Sequence, residues 1–271
     1  MGKDTKIAWT KSTFNPWIGC TEVSPGCDHC YARELALRHG WAKWGTGQPR
    51  RRTSKANWRL PLRWNEQAPD SEFAGRKGFW PVFCASLADV FDNEVPIIWR
   101  HDLWKLILNT QNLTWLLLTK RIGNVRQMWP DGPPRNAWLG CSVVNQLEAE
   151  RDIKRLRETP ATLRFISYEP ALEGINWTGL LRGISWLIIG GESGPHARPL
   201  DIGGARSTIA QCREANVAVC MKQVGANPIW GNETSSLGRA LREGGYTLKN
   251  RAGADPSEWP EDVRIRQFPA V

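Results

Sequence analysis

Six short runs of apolar and β-branched residues recur along the later part of the chain. They are PVFCAS (81–86), TWLLLT (114–119), AWLGCS (137–142), LRFISY (163–168), SWLIIG (185–190) and VAVCMK (217–222). Continuous apolar runs of this length read as strands covered on both faces. Between them the spacing turns helical: Pro96 to Leu108, Gln146 to Glu158 with Ala149, Ile153 and Leu156 on one face, and Gly203 to Ala215 with Ala205, Ile209 and Cys212. Strands alternating with helices predict a parallel sheet joined by helical crossovers. Nearer the start, Lys6 to Trp9 reads as a first strand and YARELALRHG, stopped by Gly40, as a helix. The expected fold class is therefore α/β: a partial or distorted (β/α) barrel of six to seven parallel βα units, short of the eight that close a barrel.

Two segments interrupt the pattern. Residues 41–79, rich in Trp, Arg, Gly and Pro, read as a long insertion with little regular structure, and loops of that length are usually functional or disordered. Residues 227–271 are turn-rich and read as a small C-terminal appendage packed on a barrel domain of residues 1–226. Within the appendage, VRIRQFP (263–269) alternates enough to predict an edge strand.

Charge sharpens the reading of the insertion. The chain carries a formal net charge of +9. Between Gly40 and Phe79 nine Lys and Arg face three Asp and Glu, so this window holds two-thirds of the excess. Trp41, Trp44, Trp58 and Trp64 interleave with Arg50, Arg51, Arg52, Lys55, Arg59 and Arg63. Stacking faces beside phosphate-pairing cations suit a nucleic-acid strand; a solvated basic loop whose tryptophans pack on the body is the alternative. No run approaches the roughly 18 apolar residues that span a bilayer. The N-terminal MGKDTKIAWTKS has no apolar signal segment, so the expectation is a cytoplasmic protein without a membrane partner.

An odd count of seven cysteines suits thiols and metal ligands better than a disulfide framework. Cys84, Cys141, Cys212 and Cys220 fall within apolar or helical patterns and are expected to be small core residues. The other three share one stretch, NPWIGCTEVSPGCDHCY, which organises the chain. Cys27 and Cys30 are spaced to meet one metal from a tight turn, and Pro25-Gly26 bends the longer loop so that Cys20 can return to it. Three sulfurs leave one coordination position open. A [4Fe-4S] cluster with an open iron would bind S-adenosylmethionine there, whereas zinc completed by His29 or His39 is the alternative.

Each apolar run ends in polar groups: Ser86 and Asp89; Thr119, Lys120 and Arg121; Ser142 and Asn145; Ser167 and Glu169; Glu192 and Ser193; Lys222 and Gln223. In a parallel barrel these ends share the face that carries the active site. Lys120, Glu169 and Lys222 are therefore candidate catalytic contacts. Gly190, Gly191, Glu192 and Ser193 of GGESGPHARP, with Ser142 and Asn145, are candidate cofactor contacts. Capping is the competing role for Ser86 and Asn145, and an ion pair with Arg198 for Glu192.

The cysteine loop, LGCSVVNQ, FISYEPALEGI, IIGGESGPHARP and MKQVG, in this order, resemble the phage-associated three-cysteine-motif family, phage proteins of uncertain function. The resemblance covers Asn15 to about Gly225. That family is related to radical S-adenosylmethionine enzymes, which implies a barrel of βα units and a [4Fe-4S] cluster on Cys20, Cys27 and Cys30. It differs from their main type in a first cysteine gap of six residues and a late Gly-Gly-Glu segment. The resulting expectation is a radical-type enzyme modifying a nucleic acid base or nucleotide, served by an electron donor of flavodoxin or ferredoxin type. The rival is a non-catalytic nucleic-acid-binding protein with a structural metal centre.

Overall fold

The computed structural model describes residues 4–230 and 248–270. Its first elements are β1 (Ser12–Thr13), β2 (Trp17–Ile18) and helix α1 (Tyr31–Arg38). Next come β3 (Arg51–Arg52), helices α2 (Lys55–Trp58) and α3 (Leu60–Gln67), β4 (Glu72–Phe73) and β5 (Arg76–Lys77). A regular alternation follows: β6 (Pro81–Cys84), α4 (Ile97–Leu108), β7 (Thr114–Thr119), α5 (Ile122–Met128), β8 (Ala137–Ser142), α6 (Gln146–Glu158) and β9 (Arg164–Tyr168). The chain continues through β10 (Trp186–Gly190), β11 (Leu200–Asp201), α7 (Ile202–Glu214) and β12 (Ala218–Gln223) to β13 (Pro228–Ile229).

All six apolar runs lie in one seven-stranded sheet of order β1-β6-β7-β8-β9-β10-β12. The pairs β1–β6, β6–β7, β7–β8 and β10–β12 run parallel. Every residue of β6, β8 and β10 is buried, which is why these strands carry no alternating polar face. Gly140 of β8 lies against the Phe165 ring of β9, and a Cβ there would collide with it. The amphipathic pattern of α6 holds, with Ala149, Ile153 and Leu156 buried. From β9 to β10 the chain crosses without a helix. The architecture is mixed α/β with a parallel sheet, as the alternation predicts.

The first strand is not Lys6 to Trp9. It lies at Ser12–Thr13, where the Lys11 N–H donates to the Pro81 carbonyl and the Phe14 N–H to that of Phe83, 3.1 and 3.0 Å away. The local sequence of 6–9 offers a strand, but the ladder with β6 starts only past Thr10, whose hydroxyl donates to the Pro81 carbonyl at 2.9 Å.

The 41–79 segment also departs from expectation, containing two short helices and one hairpin. Ser54 caps α2 by accepting from the Asn57 N–H at 3.2 Å, and Pro61 opens α3. Ala74 and Gly75 both take positive φ, 53° and 71°, the backbone of a two-residue turn joining β4 to β5. The 263–269 segment contributes a single antiparallel bridge, Cys220 to Arg266, beside β12 instead of a full strand.

The chain divides into two compact units, Met1–Cys141 with Arg155–Phe165, and Ser142–Lys154 with Ile166–Val271. Among the described residues no helix is long and apolar enough to cross a membrane.

Candidate metal-binding loop and strand-end site

In the first unit, Gly19 places the cysteine loop against the segment that follows β6. Its N–H donates to the Leu87 carbonyl at 3.1 Å, and its φ of +112° is open to glycine alone at low cost. Cys20 follows directly. The loop then forms a tight turn at Pro25–Cys27, capped by Ser24, whose hydroxyl accepts from the Gly26 N–H at 3.0 Å. The Cys30 N–H closes on the Cys27 carbonyl at 3.2 Å, and α1 begins one residue later. That helix packs Ala32 and Ala36 on Ile18 and Leu87, with Trp41 and Trp44 of the following segment against the same cluster.

The first cysteine is held by a charge network that its neighbours in sequence do not supply. Arg121, just past β7, donates to the Cys20 sulfur at 3.5 Å and to Asp89 at 3.1 Å. Asp89 also accepts from the Thr119 hydroxyl at 2.7 Å and the Lys120 N–H at 3.0 Å. Arg121 further donates to the Thr21 carbonyl at 2.5 Å. Cys20 keeps part of its surface open, yet the protein packed around its sulfur, helped by Asp89, pushes the thiol up to about 12 against the pull of Arg121.

The seven cysteines are thiols, and Cys84, Cys141, Cys212 and Cys220 are buried, as the apolar pattern predicts. Cys20, Cys27 and Cys30 are partly open. Three soft donors on one loop, the first beside a cation, suit a metal–thiolate centre in ligand type and number. They are not yet gathered: among the described residues no three His, Cys, Asp or Glu side chains form a metal-holding group. His39, at the end of α1, stacks on Trp41 with ring centroids 4.8 Å apart.

The basic segment separates into two groups. Arg50 is no phosphate contact: its side chain is fully enclosed and pairs with Asp92 at 2.8 Å. Its remaining N–H groups reach the Gly45 and Gln48 carbonyls and the Thr21 hydroxyl at 3.0, 2.8 and 2.6 Å. Arg52 pairs with Asp102 at 2.7 Å and lies over the Trp58 ring at 4.4 Å, so that tryptophan face is already covered. Arg51 donates to the Trp41 carbonyl at 2.9 Å but stays exposed, as do Lys55, Arg59 and Arg63.

In the second unit the structure brings together Glu169 and Lys222, whose Oε2 and Nζ lie 2.5 Å apart. Ser167 donates to the other carboxylate oxygen at 3.3 Å, and Ser142 to the Glu169 carbonyl at 3.4 Å. Gly190 leaves room for the carboxylate in this position, since a Cβ would come within 2.8 Å of Glu169 Oε2 and push it aside. Gly191 is needed for packing: its Cβ would lie 2.6 Å from the Val224 carbonyl oxygen. Glu192 is tied to Arg198, accepting from the backbone N–H at 2.8 Å and from Nη2 at 2.6 Å. The ion pair across the loop thus occupies the carboxylate. Asn145 caps α6, accepting from the Glu148 N–H at 2.9 Å, and Ser193 is exposed. Ser86 caps no helix; its hydroxyl accepts from Asn15 at 2.9 Å.

Arg121, Asp89 and Ser167 are the residues whose site roles the sequence did not assign, although each stands at or just beyond the end of an apolar run. Residues 4–250 match the model of a family described as a protein of unknown function, DUF5131. No curated protein and no solved structure matches the chain.

Proposed function

The chain belongs to the DUF5131 family, and we propose that it is an iron–sulfur enzyme of the radical S-adenosylmethionine type acting on a nucleic acid base or nucleotide. The observation that carries this reading is the loop of three partly open thiols, Cys20, Cys27 and Cys30, with the Arg121 guanidinium on the first sulfur. Three cysteines are one fewer than a closed structural site uses. Bound on them, a [4Fe-4S] cluster supplies an open iron and one electron for reductive cleavage of S-adenosylmethionine. The chain's own part is to hold the sulfurs. Ser24 fixes the turn, Arg121 places a positive charge beside Cys20, and Asp89 orients Arg121 from the β6 side.

Support for a nucleic-acid substrate comes from Lys55, Arg59 and Arg63. They are exposed and spaced four residues apart across α2 and α3, and Arg59 between the helices keeps helical backbone angles. Like charges at this spacing repel in the free protein, and an anionic strand relieves the repulsion. With three contacts, affinity for single-stranded nucleic acid should fall with salt at a log-log slope of about 2. Replacing all three by alanine should flatten that slope; an unchanged slope would remove this surface from the binding site.

The enzyme reading is tested by anaerobic reconstitution with iron and sulfide, then addition of reductant and S-adenosylmethionine. Methionine and 5′-deoxyadenosine are the expected products, formed slowly even without substrate. If neither 5′-deoxyadenosine nor any change in the cluster's EPR spectrum appears, the metal centre is structural and the protein a nucleic-acid binder.

A further inference from the structure

Four strands that are neighbours in the sheet, β8, β9, β10 and β12, bring polar groups to one place in the second unit. Ser142 comes from β8, Ser167 and Glu169 from the end of β9, Gly190 from β10 and Lys222 from β12. Both charged side chains are mostly enclosed but reach solvent, Glu169 being 12% and Lys222 24% exposed. A half-buried pair of this kind is weak as a source of stability, because desolvation offsets much of the attraction. Its place at the carboxyl ends of parallel strands is where α/β sheets bind ligands.

The pair also dictates what it would take. Glu169 and Lys222 cancel in charge, so a net charge on the ligand gains nothing from them. Ionised Glu169 only accepts hydrogen bonds, and protonated Lys222 only donates. Their facing atoms lie 2.5 Å apart. The N and O of an amide edge are separated by about 2.2 Å, as its bond lengths about a trigonal carbon require. A neutral edge with an N–H beside an acceptor therefore meets both groups at once, the N–H on Glu169 and the acceptor on Lys222. Every nucleobase carries such an edge, and reading it is how enzymes recognise a base taken out of its stack. We propose that Glu169 and Lys222 bind the donor–acceptor edge of a nucleobase, with Ser167 orienting the carboxylate. This rests on the nucleobase reading of the substrate given above.

The test is the binding of uridine and of 3-methyluridine, which keeps the ring and sugar but lacks the N–H, followed by ligand-observed NMR on the purified protein at millimolar ligand. Uridine should bind at least about tenfold more tightly than 3-methyluridine, the usual worth of a hydrogen bond to a charged group. Glu169→Gln should weaken uridine by a similar factor. The double variant Glu169→Gln with Lys222→Met leaves no unpaired charge, so it should keep the wild-type melting temperature while losing the preference for uridine. Equal binding of the two nucleosides, no binding of uridine, or binding of nicotinamide in its place would overturn the proposal, the last by pointing to a carboxamide ligand. The readout is independent of iron. Uridine binding by a protein that holds no cluster would keep this site and remove the radical reading, while a cluster without uridine binding would remove this site alone.

Discussion

Cys27→Ala is expected to leave a folded chain that holds almost no iron, whereas the wild type prepared without oxygen is expected to hold about four per chain. Fold and metal separate at this position because the Cys27 side chain is partly open and its structural work is done by the backbone. The Cys27 N–H donates to the Ser24 carbonyl at 2.9 Å, and its carbonyl accepts from Cys30 at 3.2 Å, bonds that alanine retains. With one of three sulfurs gone, two thiolates remain, too few to hold a cube against exchange into solution. Cys20→Ala and Cys30→Ala should behave alike. Cys84→Ala and Cys212→Ala change buried core positions instead and should keep full iron while losing some stability. Iron and sulfide analysis beside thermal unfolding reads both effects. Stoichiometric zinc with no iron in the anaerobic wild type would replace the cluster with a zinc knuckle.

Asp92→Ala should cost about 3 kcal/mol of unfolding free energy, the low end of the range for removing one member of a buried ion pair, because Glu94 stays 3.3 Å from the Arg50 guanidinium. Arg50 and Asp92 are 0% and 1% exposed, so the guanidinium left behind has no route to water. The Thr21 hydroxyl and the Gly45 and Gln48 carbonyls still accept from it, and the part-exposed Glu94 carboxylate, 3.3 Å from Nη2, keeps a second and weaker countercharge beside it. The same contacts tie the cysteine loop to the segment that follows α1, so the variant should also load metal poorly. Exposed Arg51→Ala should change stability by no more than about 0.5 kcal/mol. Urea unfolding monitored by tryptophan fluorescence makes the comparison. A cost for Asp92→Ala below about 1 kcal/mol would show that Glu94 alone balances the Arg50 charge.

The two classes of residue differ in how far the sequence reveals them. Strands β6, β7, β8, β9, β10 and β12 and helices α4, α6 and α7 were legible because an apolar run or a helical stripe is a local property, fixed by which residues must leave water. The four core cysteines were legible for the same reason. Residues 41–79 look irregular in sequence since their helices are short and are fixed by a Ser54 cap, a Pro61 start and tryptophans such as Trp41 and Trp58 that find partners elsewhere in the chain. That Cys20, Cys27 and Cys30 share one loop was legible as a spacing, whereas how near their sulfurs lie to one another depends on loop conformation.

The residue pattern specifies the order of buried strands and helices, the four cysteines that pack and the three that share a loop. Tertiary structure alone decided which charges are spent inside the protein. Arg50 and Asp92 are 42 residues apart, Glu169 and Lys222 are 53 apart, and Arg121 and Cys20 are 101 apart. An arginine that pairs with a phosphate and one that closes a buried network look the same in a basic run. A glutamate after two glycines looks the same whether it meets a ligand or Arg198. Coulomb attraction and desolvation depend on distance and burial, and both are set only when the sheet order brings strand ends together.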